Sequence, residues 1–119
     1  MSAETAAILD KAADIIERNG WRQGPRPEAA PKKRADQYPV DAWDALVLAA
    51  CKATTARSNK ELQLVIPAGR ALARFLRLSS IATPGAWTIP DWNDHPGRTA
   101  EQVIAALRGA AQAERERAS

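Results

Sequence analysis

One cysteine, one histidine and one methionine in 119 residues leave most site chemistries without their usual ligands. Cys51 has no second cysteine to pair with, and no cysteine–histidine set with zinc spacing can be assembled. The acids lack the spacing of a calcium loop. His95 has no serine or cysteine near it in a recognisable nucleophilic arrangement. Asp91 and Asp94 are close in sequence, but carboxylates in a proline- and glycine-rich stretch more often cap and turn than work as an acid–base pair. The sequence therefore predicts a non-enzymatic protein with no cofactor and no metal. Long apolar runs are also missing. The longest, Ala45 to Cys51, falls far short of the ~20 residues that a membrane span requires. No cationic stretch followed by an apolar one opens the chain. The expected setting is the cytoplasm, with no membrane partner.

Aromatic residues are scarce at 5%, yet four of the six are tryptophan: Trp21, Trp43, Trp87 and Trp92. Nearly half of the 45% hydrophobic content is alanine, at 26 residues. A chain of this length buries enough surface for one independent core, so a single domain over 1–119 is expected. The net charge of +3 is unevenly spread. Residues 1–20 sum to −2, whereas 21–40 and 59–80 each sum to +3. A polyanionic partner is permitted by this balance without being required.

Apolar periodicity predicts an all-α bundle of four to five helices with two long irregular loops. Ile8, Leu9, Ala12, Ile15 and Ile16 line one side of a first helix over Ser2 to Asn19. Asn19-Gly20 stops it, with Gly20 suited to the left-handed C′ position of a Schellman ending and Trp21 falling against Ile16. Residues 22–40 form a proline-rich basic loop. A second helix is expected from the N-cap Asp41 to about Arg57, its inner face formed by Trp43, Leu46, Val47, Ala50 and Thr54 with Cys51 beside them. Ser58-Asn59-Lys60-Glu61 fits a capping box. Residues 62–66 suit helix or strand, and Pro67 either kinks one helix or begins another. Beyond it a helix runs from Ala68 to Leu78, with Leu72, Phe75 and Leu76 facing inward. Residues 79–98 read as a Trp/Pro/Gly-rich loop. Its His95-Pro96-Gly97-Arg98 frame matches a type II turn. Thr99-Ala100-Glu101-Gln102 is a second capping box, opening a last helix whose stripe is Val103, Ile104, Leu107, Ala110 and Ala111.

Glu17-Arg18-Asn19-Gly20-Trp21-Arg22-Gln23-Gly24 and Trp92-Asn93-Asp94-His95-Pro96-Gly97-Arg98-Thr99 form a recognisable pair. Together they resemble a family of small actinobacterial and actinophage proteins classed as a domain of unknown function. Its members carry E-x-x-G-W-x-Q-G near the start and W-N-D-x-P-G-R-T before the last helix. The resemblance implies a mainly helical fold and supplies no activity. Many relatives have a cysteine after the early tryptophan, where this chain has Arg22. Whatever that cysteine does cannot be carried over.

Three groups of residues are candidates for function. Trp21, Gln23, Trp92, Asn93, Asp94 and Arg98 suit a polar network roofed by indole. It either fastens the last helix to the end of the first or forms a ligand pocket. In it, Asp94 is expected to pair with Arg98 or to accept backbone N–H groups in its turn. Trp87, between Pro84-Gly85 and Pro90, is either a partner surface or a plug over the bundle. Arg70, Arg74 and Arg77 fall at i, i+4 and i+7 on the third helix. With Lys60 and the Lys32-Lys33-Arg34 run they could contact phosphates, although an arginine stripe is commonly a solvated face. The favoured expectation is an accessory protein that binds a protein partner. Nucleic-acid binding through the basic helix face is the alternative, and homodimerisation through an alanine-rich face stays open.

Overall fold

The computed structural model describes residues 2–24, 39–51, 59–77 and 89–118. Among them the chain forms five helices and no strand: α1 (Ser2–Asn19), α2 (Ala42–Cys51), α3 (Asn59–Leu76), α4 (Ile89–Asn93) and α5 (Ala100–Ala118). The all-α bundle expected from periodicity is the fold observed. It is slightly elongated, at 44 × 31 × 27 Å.

Helix α1 packs along α5, and α2 packs against both α1 and α3. Ala6, Leu9, Ala12, Ala13 and Ile16 from α1 share one core with Val103, Leu107, Ala110 and Ala111 from α5. Small side chains on both helices let the backbones approach closely, with Leu9, Ile16 and Leu107 filling the remaining volume. Helix α2 is the innermost. Ala42, Ala45, Leu46, Val47, Leu48 and Ala49 are all buried, so it is apolar nearly all round rather than one-faced. Trp43, Ala50 and Cys51 are half-buried against the core. Thr54, Arg57 and Ser58 lie outside the described residues.

Residues 62–66 are helical, and α3 runs uninterrupted through Pro67. Pro67 and Gln63 both lie on the exposed side, so the Gln63 carbonyl deprived of its N–H partner is on the wet face. Two other expectations need correction. Residues 79–98 are not all loop, because Ile89–Asn93 forms α4, with Ile89 fully buried as its anchor. Phe75 points inward as expected but is not buried, at 44% exposed. It lies one heptad beyond the buried Ala68, so its direction is inward. What it meets there is Gly109 of α5, which has no side chain to cover the ring. The far edge of the ring is seated there.

That seat is tight. A Cβ placed on Gly109 would lie 2.4 Å from Phe75 Cζ. Alanine at this helical position gains about 1 kcal/mol of propensity over glycine, and displacement of the ring offsets it. Gly109→Ala alone is therefore expected to be near neutral, and the same change in a Phe75→Ala background to stabilise by about 1 kcal/mol. A double-mutant cycle by urea unfolding measures this coupling. Equal effects in the two backgrounds would disprove the packing argument.

Candidate functional site

The residues matched by the two sequence elements converge where the end of α1, the start of α2, and α4 meet. Gly20 has φ 95 and donates its N–H to Ile16 O at 2.8 Å, closing α1. This single bond is the simpler left-handed ending, in place of the Schellman pattern expected. The chain then runs beside the segment preceding α2. Val40 N–H donates to Gly20 O and Arg22 N–H to Val40 O, both at 3.1 Å, forming one parallel bridge.

Asn93 is the centre of the junction. It is fully buried at the end of α4. Its Oδ1 accepts from Trp21 Nε1 at 2.7 Å and from the Ala42 backbone N–H at 2.9 Å. Its Nδ2 donates to Arg22 O at 3.1 Å and to Asp94 Oδ1 at 3.0 Å. Both acceptor and both donor positions of the amide are thus engaged within the chain. Gln23 adds a strap from above, its Nε2 donating to the backbone carbonyls of Asn93 and His95.

Asp94 corrects the expectation made for it. It pairs neither with Arg98 nor with an N–H of its own turn. Its Oδ1 accepts from the Gly24 backbone N–H at 3.0 Å, a residue far away in sequence. That hydrogen bond, followed by the one from the Asn93 amide, lowers the Asp94 pKa. Arg98 instead folds back on Trp92. Its guanidinium carbon lies 4.3 Å from the indole centroid, and Nε donates to Trp92 O at 3.1 Å. The turn before it has the expected form, with Arg98 N–H to His95 O at 3.1 Å and Gly97 at φ 86. Thr99 and Gln102 exchange the reciprocal hydrogen bonds of a capping box, which starts α5.

Arg22 performs a role that its sequence context did not signal. Its side chain is only 11% exposed and donates to the carbonyls of Pro39 and Gly24, while Nη2 pairs with Asp44. Asp41 lies at the edge of this group and caps α2 by accepting the Asp44 N–H at 2.7 Å. Burial pushes its carboxyl above the usual range. One guanidinium thereby joins both ends of the segment 25–38 to the first turn of α2.

The other candidates lie apart from this junction. Lys32, Lys33, Arg34 and Trp87 are outside the described residues. Lys60, Arg70 and Arg77 are exposed, and Arg74 pairs with Glu114 of α5 at 2.5 Å. Glu114 was missed in the sequence, although it continues the stripe of Ala110 and Ala111 and so falls on the buried side. His95 is exposed, its Nδ1 2.9 Å from Pro96 O. No group of three or more His, Cys, Asp or Glu residues able to hold a metal ion occurs among the described residues. No described helix is long and apolar enough to cross a membrane.

Truncating Asn93 would strand the Trp21 indole N–H, the Ala42 N–H and the Arg22 carbonyl together. Asn93→Ala is expected to cost about 3 kcal/mol or more, read by urea unfolding with Trp fluorescence. The Asp94 effect depends on pH. Its pKa is depressed in the folded state, so its ionised form stabilises above the ordinary value of 3.8, and this stabilisation is lost as pH falls through the lower folded value. Wild type should thus be more stable than Asp94→Asn at neutral pH, with the gap closing below about pH 4. A gap unchanged across that range would contradict the charge-assisted bond to Gly24.

No curated protein and no solved structure matches this chain. A family model covers residues 1–113, a span that includes every residue of the junction. The chain belongs to DUF6197, a family of unknown function.

Proposed function

We infer that this protein is a small non-enzymatic accessory protein that binds a protein partner through the side of α3 that carries Phe75 and Leu64. The observation that carries the reading is Phe75. It is a large aromatic side chain, 44% exposed, seated by its edge on Gly109. Leu64, 36% exposed, adds a second apolar residue to the exposed side of the same helix. Aromatic and arginine side chains dominate the energetics of protein interfaces, and a ring already held in place loses little freedom on binding. The motif-bearing junction supports the reading indirectly, because its central side chains are engaged in joining helices. Partner recognition then falls to surfaces outside the motifs.

The resemblance of the two motifs to actinobacterial and actinophage proteins supports an accessory role in such a genome. The cytoplasm is the compartment this reading assigns, the host's if a phage encodes the protein. Exposed Lys60, Arg70 and Arg77 on α3 favour a second reading, a nucleic-acid contact along the same helix.

Photo-cross-linking in cells separates the two. With a benzophenone amino acid replacing Phe75, a discrete, nuclease-resistant protein adduct is expected, and none with the same group at Gln112 on α5. The adduct should be lost on Leu64→Glu, with circular dichroism unchanged. A nuclease-sensitive adduct would transfer the function to nucleic acid. No adduct, or the same one from both positions, would overturn the docking reading.

A further inference from the structure

Exposed charge is mixed in sign on two of the long helices and uniform on the third. On α1 the exposed ionisable residues are Glu4, Lys11, Asp14, Glu17 and Arg18. On α5 the exposed Arg115 and Arg117 are accompanied by the exposed Glu101 and Glu116. On α3 Lys60, Arg70 and Arg74 are exposed, and the exposed Arg77 follows its last residue. The one acid of α3, Glu61, is half-buried. At about 100° per residue, these four cations fall within an arc of about 100° on the outer side of the helix. Gln63 and Pro67 are the other exposed residues inside that arc, whereas Leu64 and Phe75 lie outside it.

The make-up of this arc decides what suits it. A protein–protein interface is built on an apolar centre with charge at its rim, and an exposed ion pair contributes at most about 1 kcal/mol. A face of cations with no large apolar side chain at its centre therefore gains little from a protein, even an acidic one. A nucleic acid differs because its phosphates hold condensed counterions, and each protein cation that replaces one gains from its release. Single strands are gripped by stacked aromatic side chains, and this arc has none. Spacing also favours a duplex. Lys60 and Arg70 are separated by roughly 15 Å along the helix axis, close to the roughly 12 Å width of a major groove.

The cations are not equivalent. Arg74 Nη2 lies 2.5 Å from Oε1 of Glu114, whose side chain is only 7% exposed, so its charge is answered within the chain. Lys60, Arg70 and Arg77 remain to face an incoming anion. Arg77 stands at φ 58, the one positive φ at a non-glycine residue among the described residues, with its N–H 3.2 Å from Arg74 O. Glycine would hold this turn with less strain, so a cation is kept where the backbone disfavours a side chain.

We propose that Lys60, Arg70 and Arg77 bind the phosphate backbone of double-stranded DNA, with Lys60 and the Arg70–Arg77 pair on opposite sides of a groove. The proposal rests on the nucleic-acid reading above and names the ligand, and it leaves the Phe75 side of α3 free for a protein.

Fluorescence anisotropy of the intact protein with a labelled duplex, over a series of salt concentrations, tests this. The logarithm of the binding constant should fall against the logarithm of salt concentration with a slope of about −3, and Arg70→Gln should reduce the slope to about −2. Arg77→Gly should do the same while raising the thermal midpoint by a few degrees, because the strained turn relaxes. Its loss of binding is then not a loss of fold. Lys11→Gln on α1 removes the same unit of charge and should leave the slope unchanged. A glutamate-rich helical peptide and the unpaired strand should each compete at least roughly tenfold more weakly than unlabelled duplex. A slope unchanged by Arg70→Gln or Arg77→Gly, a slope lowered equally by Lys11→Gln, or stronger competition by the peptide would overturn the proposal. Stronger competition by the single strand would keep the nucleic-acid reading and overturn the duplex. Binding of neither form would overturn both.

Discussion

Removing an asparagine side chain wholly from water is unfavourable unless each of its donors and acceptors is matched. Asn93 meets that condition by recruiting groups from three separate segments: the Trp21 indole and Arg22 carbonyl after α1, the Ala42 N–H at the start of α2, and its neighbour Asp94. The three segments are far apart in sequence, so satisfying the amide forces them together. The position of α4, the start of α2 and the path of the chain leaving α1 all follow from it. Trp21 adds apolar cover, since its indole packs on the core while its N–H serves the amide. A buried polar group with every valence matched specifies one arrangement more sharply than apolar contact does, because slippage by one residue strands several partners at once.

The rest of the bundle is held by more forgiving forces. The α1–α5 contact depends on alanines and a few branched residues, which fit many registers of two close helices. Charge narrows that choice. Arg108 of α5 reaches Asp14 and Glu17 of α1 at 2.8 and 2.9 Å, and Arg115 pairs with Asp10. Hydrogen bonds to the two carboxylates raise the Arg108 pKa further above its ordinary value. These are exposed pairs of small individual worth. Their spacing along both helices opposes a sliding of one past the other. The net −2 of residues 1–20 is partly answered by the arginines of α5.

Local signals made much of this fold legible. Glycine after Asn19, the threonine–glutamine box at Thr99 and the apolar spacing of α1 and α5 depend on neighbours within a turn, and all appear as expected. The convergence of the two motifs could be suspected from residue types, but their wiring could not. Asp94 had a nearby cation in Arg98 and yet took an N–H from Gly24, because the indole of Trp92 offered Arg98 a stacking face. Phe75 was misjudged for a related reason: periodicity gives the direction of a side chain but not what stands opposite it. A glycine on the facing helix left the ring partly bare. Glu114 shows the reverse case, an acid on an apolar stripe whose burial depends on an arginine forty residues earlier.

The bridge between Trp21 and Val40 has a consequence for how this chain can vary. Arg22 and Val40 hold the two ends of segment 25–38 side by side, through two backbone hydrogen bonds and a guanidinium shared between Pro39 and Gly24. The closure is made outside the segment, by residues that contact the core. Lengthening such a segment adds little to its closure entropy, about 0.6 kcal/mol for each doubling. The stem between α1 and α2 therefore stands on contacts that a change within 25–38 leaves in place. Variation among related chains has a physical reason to collect there.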